Sequence, residues 1–286
     1  MENVIAFPAL GLSVTVNRVA FSLFGKDIYW YGIIIAFGFA LALFYCSKRI
    51  SDFGFTSDML FDAVLLALPA AIVCARLYYV VWEWDYYSQN PSEIIAIWNG
   101  GIAIYGGVIG ALLAVGLYGR HKKISIPATF DVAALGLLIG QCIGRWGNFV
   151  NGEAHGTVTD RILGMTVNGE GPFHPTFLYE SLWNLVGFFI LHILSKKCYR
   201  FRGQIFLSYL IWYGAGRAWI EGLRTDSLYI GATGIRVSQL VAVVSCIVGI
   251  VLMAICLKKQ VKTLTQLWNP HADPRAIRQE AKETQA

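Results

Sequence analysis

The residues best suited to chemistry lie in one stretch, Gly144-Arg145-Trp146-Gly147-Asn148-Phe149-Val150-Asn151-Gly152-Glu153-Ala154-His155-Gly156. It follows an apolar run, Phe130 to Ile143, so its arginine stands at the edge of hydrocarbon. An arginine at the centre of a membrane helix costs roughly 2.5–3.5 kcal/mol on insertion scales and normally has an anionic partner. If the helix continues one turn beyond Ile143, Arg145 and Asn148 share a face. The glycines let backbone amides approach a ligand closely. These residues form a candidate cradle for a phosphate, or for negative charge developing during a reaction, at a membrane surface.

Other polar residues fall where lipid is expected. Tyr213, Arg217 and Glu221 repeat every four residues and stack along one helix face, with Arg224 beyond them. Arg217 is either paired internally with Glu221 or is a second arginine aimed at the same anion. In His174-Pro175-Thr176-Phe177-Leu178-Tyr179-Glu180, Pro175 suits a first helical turn and Glu180 is buried. A buried carboxylate needs a partner, and an arginine of another span would supply it. Tyr31 is a candidate donor that also fits an ordinary interfacial aromatic. Arg76 and Asp131 call for internal partners. Gly106, Gly110 and Ala114 read first as a helix-packing seam.

The elements that must position these groups are membrane spans. The chain has 286 residues, of which 56% are hydrophobic and 14% charged, with mean hydropathy +0.54, which excludes an ordinary soluble domain. Apolar runs predict an all-α integral membrane protein: a polytopic bundle of seven transmembrane helices at about 29–47, 60–82, 102–119, 127–144, 177–194, 204–221 and 238–257. Residues 1–28 read as an interfacial arm with strand-like alternation at Ser13–Val16 and Ala20–Phe24. Glu2, Pro8 and Asn17 argue against a signal peptide there. Basic residues recur in every second loop, at Lys48 and Arg49, at Arg120, Lys122 and Lys123, at Lys196, Lys197, Arg200 and Arg202, and at Lys258, Lys259 and Lys262. That pattern sets the N-terminus outside and the C-terminus in the cytoplasm. It gives one membrane domain over 1–257, with its functional loop 145–176 on the outer face, and a polar cytoplasmic tail over 258–286, loosely helical or disordered.

Several function classes lose support. The six cysteines lack metal or redox spacing and read as small core residues. A pore would spread its polar groups through the bilayer depth, whereas here they gather at one depth. There is no inverted repeat of a carrier, no His-Glu-x-x-His and no Gly-x-Ser-Gly protease signature. No metal, soluble cofactor or nucleic-acid partner is expected.

The stretch 144–156 resembles the signature of the bacterial prolipoprotein diacylglyceryl transferase family. Four further pieces match in order: Trp30-Tyr31-Gly32, the glycine run before the third span, His174–Glu180, and Tyr213-Gly214-x-x-Arg217 with Glu221 and Arg224. The resemblance covers essentially the whole chain. It implies transfer of the diacylglyceryl group of phosphatidylglycerol to the lipobox cysteine of a preprolipoprotein signal peptide, at the outer face of the bacterial cytoplasmic membrane. The thiol would form a thioether and glycerol-1-phosphate would leave.

Under this resemblance Arg145 and Arg217 hold the phosphodiester and stabilise the departing phosphate. Tyr31, Asn148, Glu153 and Tyr213 order the headgroup and the arginines. Asn151, His174, Glu180 and Glu221 support them. The chain departs from the family at Tyr105, where many members carry a histidine considered as base for the thiol. Tyrosine, with an ordinary pKa near 10, is a poor base at neutral pH but donates a hydrogen bond. The base is then His155, His174 or none, since arginines beside a thiol lower its pKa. A catalytically silent lipid-binding homologue and a lipid or glycerophosphate transporter stand as alternatives.

Overall fold

The structure, a computed structural model, describes residues 2–230 and 233–269. Its helices are α1 (Trp30–Arg49), α2 (Ser57–Trp82), the single turn α3 (Trp84–Tyr87), α4 (Ile104–His121), α5 (Ile126–Asn151), α6 (Thr176–Lys197), α7 (Gln204–Leu223) and α8 (Val237–Lys258). Among the described residues, five are long and apolar enough to cross a bilayer: α1, α2, α5, α6 and α8. α4 and α7 are 18 and 20 residues long, and α7 carries Arg217 and Glu221. The long helices lie within three residues of the predicted spans at every edge but one. α5 continues to Asn151, so the loop expected from residue 145 starts seven residues later. Polarity alone suggested an end at Gly144, but nothing stops the helix until Gly152, which adopts the left-handed φ of +63°.

Two small sheets accompany the helices. β1 (Glu2–Phe7), β2 (Leu12–Asn17), β5 (Met165–Val167) and β6 (Glu170–Phe173) form a sheet in the order β2-β1-β5-β6. β3 (Val19–Leu23) and β4 (Lys26–Tyr29) form a hairpin. The alternation seen in the arm falls in β2 and β3, while Phe24 takes the turn at φ +50°. β1 and β5 pair antiparallel, Ile5 opposite Val167 and Ala6 opposite Thr166. This pairing joins the arm to the loop after α5. Ile5, Met165, Val167 and Phe177 form a buried core beneath the sheet, with Phe149 of α5 packed on it. Apolar residues on one strand face thus fix the arm to the end of the signature helix.

The described residues divide into two compact units, one of residues 2–46 and 130–269, the other Ser47–Thr129. In the second unit α4 packs on α2 through the expected seam. A Cβ at Gly110 would lie 2.5 Å from the Ala70 carbonyl oxygen, so only a hydrogen fits. Arg76 is 5% exposed, and its internal partner is backbone rather than a carboxylate. It donates to the carbonyls of Glu93 (2.6 Å), Ile94 (2.9 Å), Gly100 (2.7 Å) and Gly101 (2.6 Å), and its guanidinium lies 5.1 Å from the Tyr87 ring centroid. One cation thereby folds the segment between α3 and α4 back onto α2.

In the first unit, α6 and α7 are clasped by two tryptophans. The Trp183 indole N–H donates to the Trp212 carbonyl and the Trp212 indole to the Trp183 carbonyl, both at 2.9 Å, with the rings stacked at 4.6 Å. Each ring covers a glycine of the facing helix, Trp183 over Gly216 and Trp212 over Gly187, where any Cβ would collide. Each indole thus buries its apolar body and satisfies its N–H. Asp131, fully buried, fixes the other end of α7. It accepts from the Tyr199 hydroxyl (2.6 Å), Gly203 N–H (2.6 Å) and Phe206 N–H (2.8 Å), two of them backbone donors at the helix start. Beyond α8, residues 259–269 return to this region instead of trailing away: Thr263 bridges Arg202, and Leu264 packs with Phe201, Leu207 and Cys256. The remainder of the expected tail, 270–286, lies outside the described residues.

Replacing Asp131 with alanine strands these donors, and stability is expected to fall by about 3 kcal/mol. Thermal unfolding in detergent reads this as a lowered midpoint. Asp131→Asn, which keeps one acceptor oxygen, should fall between.

Candidate active site

The site is built around Glu180, in the second turn of α6 and 2% exposed. Its Oε1 receives Arg145 Nη2 at 2.5 Å and its Oε2 receives Arg217 Nη1 at 2.9 Å. Arg217 also pairs through Nη2 with Glu221 Oε2 at 2.5 Å, one turn along α7. Arg217 is thus paired internally with Glu221, as the first reading had it, and also faces the same buried carboxylate as Arg145. Glu221 is itself held by the Ser227 hydroxyl (2.8 Å), and its backbone carbonyl accepts from Arg236. Two arginines and two carboxylates sum to zero charge, which is what makes the burial tolerable.

The arginines are not used up. Their side chains are 22% (Arg145) and 14% (Arg217) exposed, and a guanidinium carries five N–H donors in a fixed fork. An anion reaching the exposed edges would find two forks already aimed and held rigid by Glu180. Tyr213 stands beside both arginines, its ring stacked at 5.5 Å on Tyr209, whose hydroxyl receives Gln141 at 2.9 Å. Arg224 differs. It is bonded twice to Asp226, at 2.9 and 2.6 Å, so its charge is locally matched.

The end of α5 carries a second polar group. Gly152 N–H bonds the Phe149 carbonyl at 3.0 Å and Glu153 N–H the Asn148 carbonyl at 3.1 Å, a left-handed glycine cap. The cap turns the Glu153 carboxylate back over the helix end, where its Oε1 accepts from Asn148 Nδ2 (3.2 Å) and Asn151 Nδ2 (3.0 Å). Asn148 then offers its Oδ1 to Arg145 Nη1 at 3.4 Å. As the sequence suggested, Arg145 and Asn148 share a face. Spacing gave no reason to place Glu153 on both asparagines. Tyr31 of α1 lies flat against Gly147, where a Cβ would come within 2.6 Å of the ring. A groove of about 660 Å³ opens there, lined by Tyr31, Gly32, Ile33, Ala36 and Asn151 with Asp27 at its edge.

The structure gathers Arg145, Tyr213, Arg217, Glu180 and Glu221 into one cluster and joins Asn148, Asn151 and Glu153 to it. His174 bonds elsewhere, its Nδ1 lying 3.2 Å from the Tyr179 hydroxyl. Burial, and after it the charge of Arg161, holds the pKa of His174 below its ordinary value. His155 stacks on Phe173 at 4.1 Å. Tyr105 belongs to the second unit, in the first turn of α4. Sequence reasoning missed Ser227 and Arg236, which brace Glu221, and Gln141 behind the tyrosines. None belongs to a motif, and each acts through a fold contact that spacing does not encode.

Glu180→Ala would leave two half-buried guanidiniums facing one another without their shared anion. Loss of about 3–5 kcal/mol is expected, the range for breaking a buried pair from one side. The midpoint of thermal unfolding should drop accordingly, with Glu180→Gln intermediate.

The chain matches the family described as prolipoprotein diacylglyceryl transferase over residues 18–255. It is similar to proteins named phosphatidylglycerol--prolipoprotein diacylglyceryl transferase from several bacteria. The Enterococcus faecalis protein is 48% identical over 254 residues, covering 84% of this chain and 90% of that one. For Bacillus velezensis the identity is 45% over 250 residues, covering 83% and 91%. For Clostridioides difficile it is 42% over 250 residues, covering 87% and 99%. Because the match begins before β3 and runs through every long helix almost to the end of α8, the chain belongs to the prolipoprotein diacylglyceryl transferase family.

Proposed function

We propose that this chain transfers the diacylglyceryl group of phosphatidylglycerol to the lipobox cysteine of preprolipoproteins, with Arg145 and Arg217 holding the phosphodiester. The observation that carries this reading is the sharing of Glu180 by the two arginines, at 2.5 and 2.9 Å. The thiol sulfur attacks the glyceryl carbon next to phosphate. A carbon–sulfur bond forms, the carbon–oxygen bond breaks, and its electron pair leaves on the oxygen of glycerol-1-phosphate. The thiol proton passes to an acceptor and finally to water or the released phosphate. Negative charge grows on that oxygen, and donors fixed in advance in a water-poor site stabilise it most.

Asn148, Asn151 and Glu153 order the headgroup beside Arg145, and Tyr31 and Tyr213 close the site from α1 and α7. Glu180 and Glu221 hold the arginines. Tyr105 enters from the sequence as a hydrogen-bond donor rather than a base. The thiol proton goes to His155, to His174 or to no dedicated base, since arginines beside a thiol lower its pKa. We place the long helices as seven spans, N-terminus outside and C-terminus in the cytoplasm. The alternation of basic loops supports this, as does the mostly helical fold with five apolar helices of spanning length. The site then opens at the outer face of the bacterial cytoplasmic membrane, where lipid enters from the bilayer.

Purified protein reconstituted with phosphatidylglycerol and a lipobox peptide should add one diacylglyceryl mass to the peptide, and none to a Cys→Ser peptide. Arg145→Ala is expected to lose at least about 100-fold in rate, as for removal of an oxyanion donor. Absence of transfer by a folded parent enzyme would overturn the proposal in favour of a silent lipid-binding homologue. Tyr105→Phe should stay within about tenfold of the parent, since one neutral hydrogen bond is worth about a decade or less. Near-total loss with normal folding would instead make Tyr105 essential.

A further inference from the structure

The last four carbonyls of α5 have no partner within the helix and are satisfied from outside it. The chain's own turn takes two, through Glu153 N–H on Asn148 and Gly152 N–H on Phe149. The other two are taken from far away in sequence. Asn3 Nδ2 of β1 donates to the Val150 carbonyl at 3.0 Å. Arg18, between β2 and β3, donates through Nη2 to the Asn151 carbonyl at 2.6 Å. Asn3 is 3% exposed, and its Oδ1 is held by Arg18 Nη2 (3.4 Å) and Asn168 Nδ2 (3.3 Å). Asn168 is in turn fixed to β1, its Oδ1 accepting from Val4 N–H at 2.8 Å and its N–H donating to the Val4 carbonyl at 2.7 Å.

We infer that Arg18, assisted by Asn3, is a positioning residue for phosphatidylglycerol: it fixes the end of α5 and thereby the Asn148–Asn151–Glu153 group that borders Arg145. The inference rests on the reaction proposed above. A cation at a helix C-terminus faces the negative end of the helix dipole, and a charge-assisted bond to the final carbonyl holds the last turn closed. Asn151 is at once the acceptor of Arg18 through its backbone and the donor to Glu153 through its side chain. If the last turn opens, Glu153 loses one of its two amide donors. Asn148, which bonds both Glu153 and Arg145, then loses the orientation that its Oδ1 needs. The sheet presses on the same point: a Cβ at Gly152 would lie 3.0 Å from Val167 Cγ1 and 3.1 Å from Asn3 Nδ2. Among the described residues Arg18 bonds Asn3 and the Asn151 carbonyl, so it acts through α5.

The test compares Arg18→Ala and Arg18→Lys with the parent in the reconstituted transfer assay, varying phosphatidylglycerol and peptide separately. Arg18→Ala is expected to raise the KM for phosphatidylglycerol about tenfold, the factor of a lost hydrogen bond to a charged group, while the KM for peptide holds. Arg18→Lys keeps the charge and one donor, and should recover to within about threefold of the parent. Parent values for Arg18→Ala would overturn the inference. So would equal losses for both substrates that lysine does not rescue, the pattern of a purely structural residue. Amide hydrogen exchange separates this result from failure of the proposed reaction. In Arg18→Ala the amides of Gly152 and Glu153 should exchange faster, with the middle of α5 unchanged, whether or not transfer is seen. Unchanged exchange there would overturn the inference independently of activity.

Discussion

Everything in the site depends on one buried carboxylate. Glu180 gives one oxygen to Arg145 and the other to Arg217, so a single side chain sets the spacing between guanidiniums carried on two different helices. Taking a carboxylate out of water is very unfavourable unless charge and hydrogen bonds compensate, and here both oxygens are matched by cations. The same arrangement solves the opposite problem for the arginines, which stand where hydrocarbon is expected. Because α6 and α7 are locked by the reciprocal Trp183 and Trp212 bonds, Glu180 and Arg217 are carried on one rigid pair of helices. Arg145 is brought to them by α5, whose end is held by the sheet.

Much of this was legible in the sequence because membrane helices announce themselves by length and hydropathy, and buried charge by its improbability. Arg145, Glu180, Arg217 and Glu221 could be named from that improbability, and the need for Glu180 to meet an arginine of another span followed from its burial alone. The partners of Arg76 were legible only as a requirement. That they are four carbonyls is a property of the returning segment 93–101, whose one carboxylate, Glu93, meets Arg76 through its backbone while its side chain accepts from the Tyr86 hydroxyl. The end of α5 was misread because polarity imitates a loop, whereas a helix ends where its carbonyls find other partners. Those partners, Asn3 and Arg18, are separated from it by well over a hundred residues and leave no local pattern. β5 and β6 are hidden for the same reason: strands of three and four residues exist because β1 pairs with β5 and β5 with β6.

The sheet and the helices thus have different duties. The helices place charge at a chosen depth, which a helix does well because its own backbone needs nothing from the surroundings. The sheet provides what a helix cannot, namely donors for carbonyls at the point where the helix stops. Signature residues 145–153 span the transition from one regime to the other. This explains why an arginine, two asparagines and a glutamate in that short run end up bonded to one another.

The neutrality of the cluster has a consequence for turnover. A phosphodiester carries one negative charge, whereas the phosphomonoester left after transfer carries up to two near neutral pH. Bare guanidiniums would grip the product harder than the substrate, and the enzyme would be poisoned by its own leaving group. Under the proposed function Glu180 and Glu221 would offset that bias, since each added charge on the departing phosphate would be repelled by carboxylates paired in place. In that reading the same four side chains that allow burial would also keep the exit open.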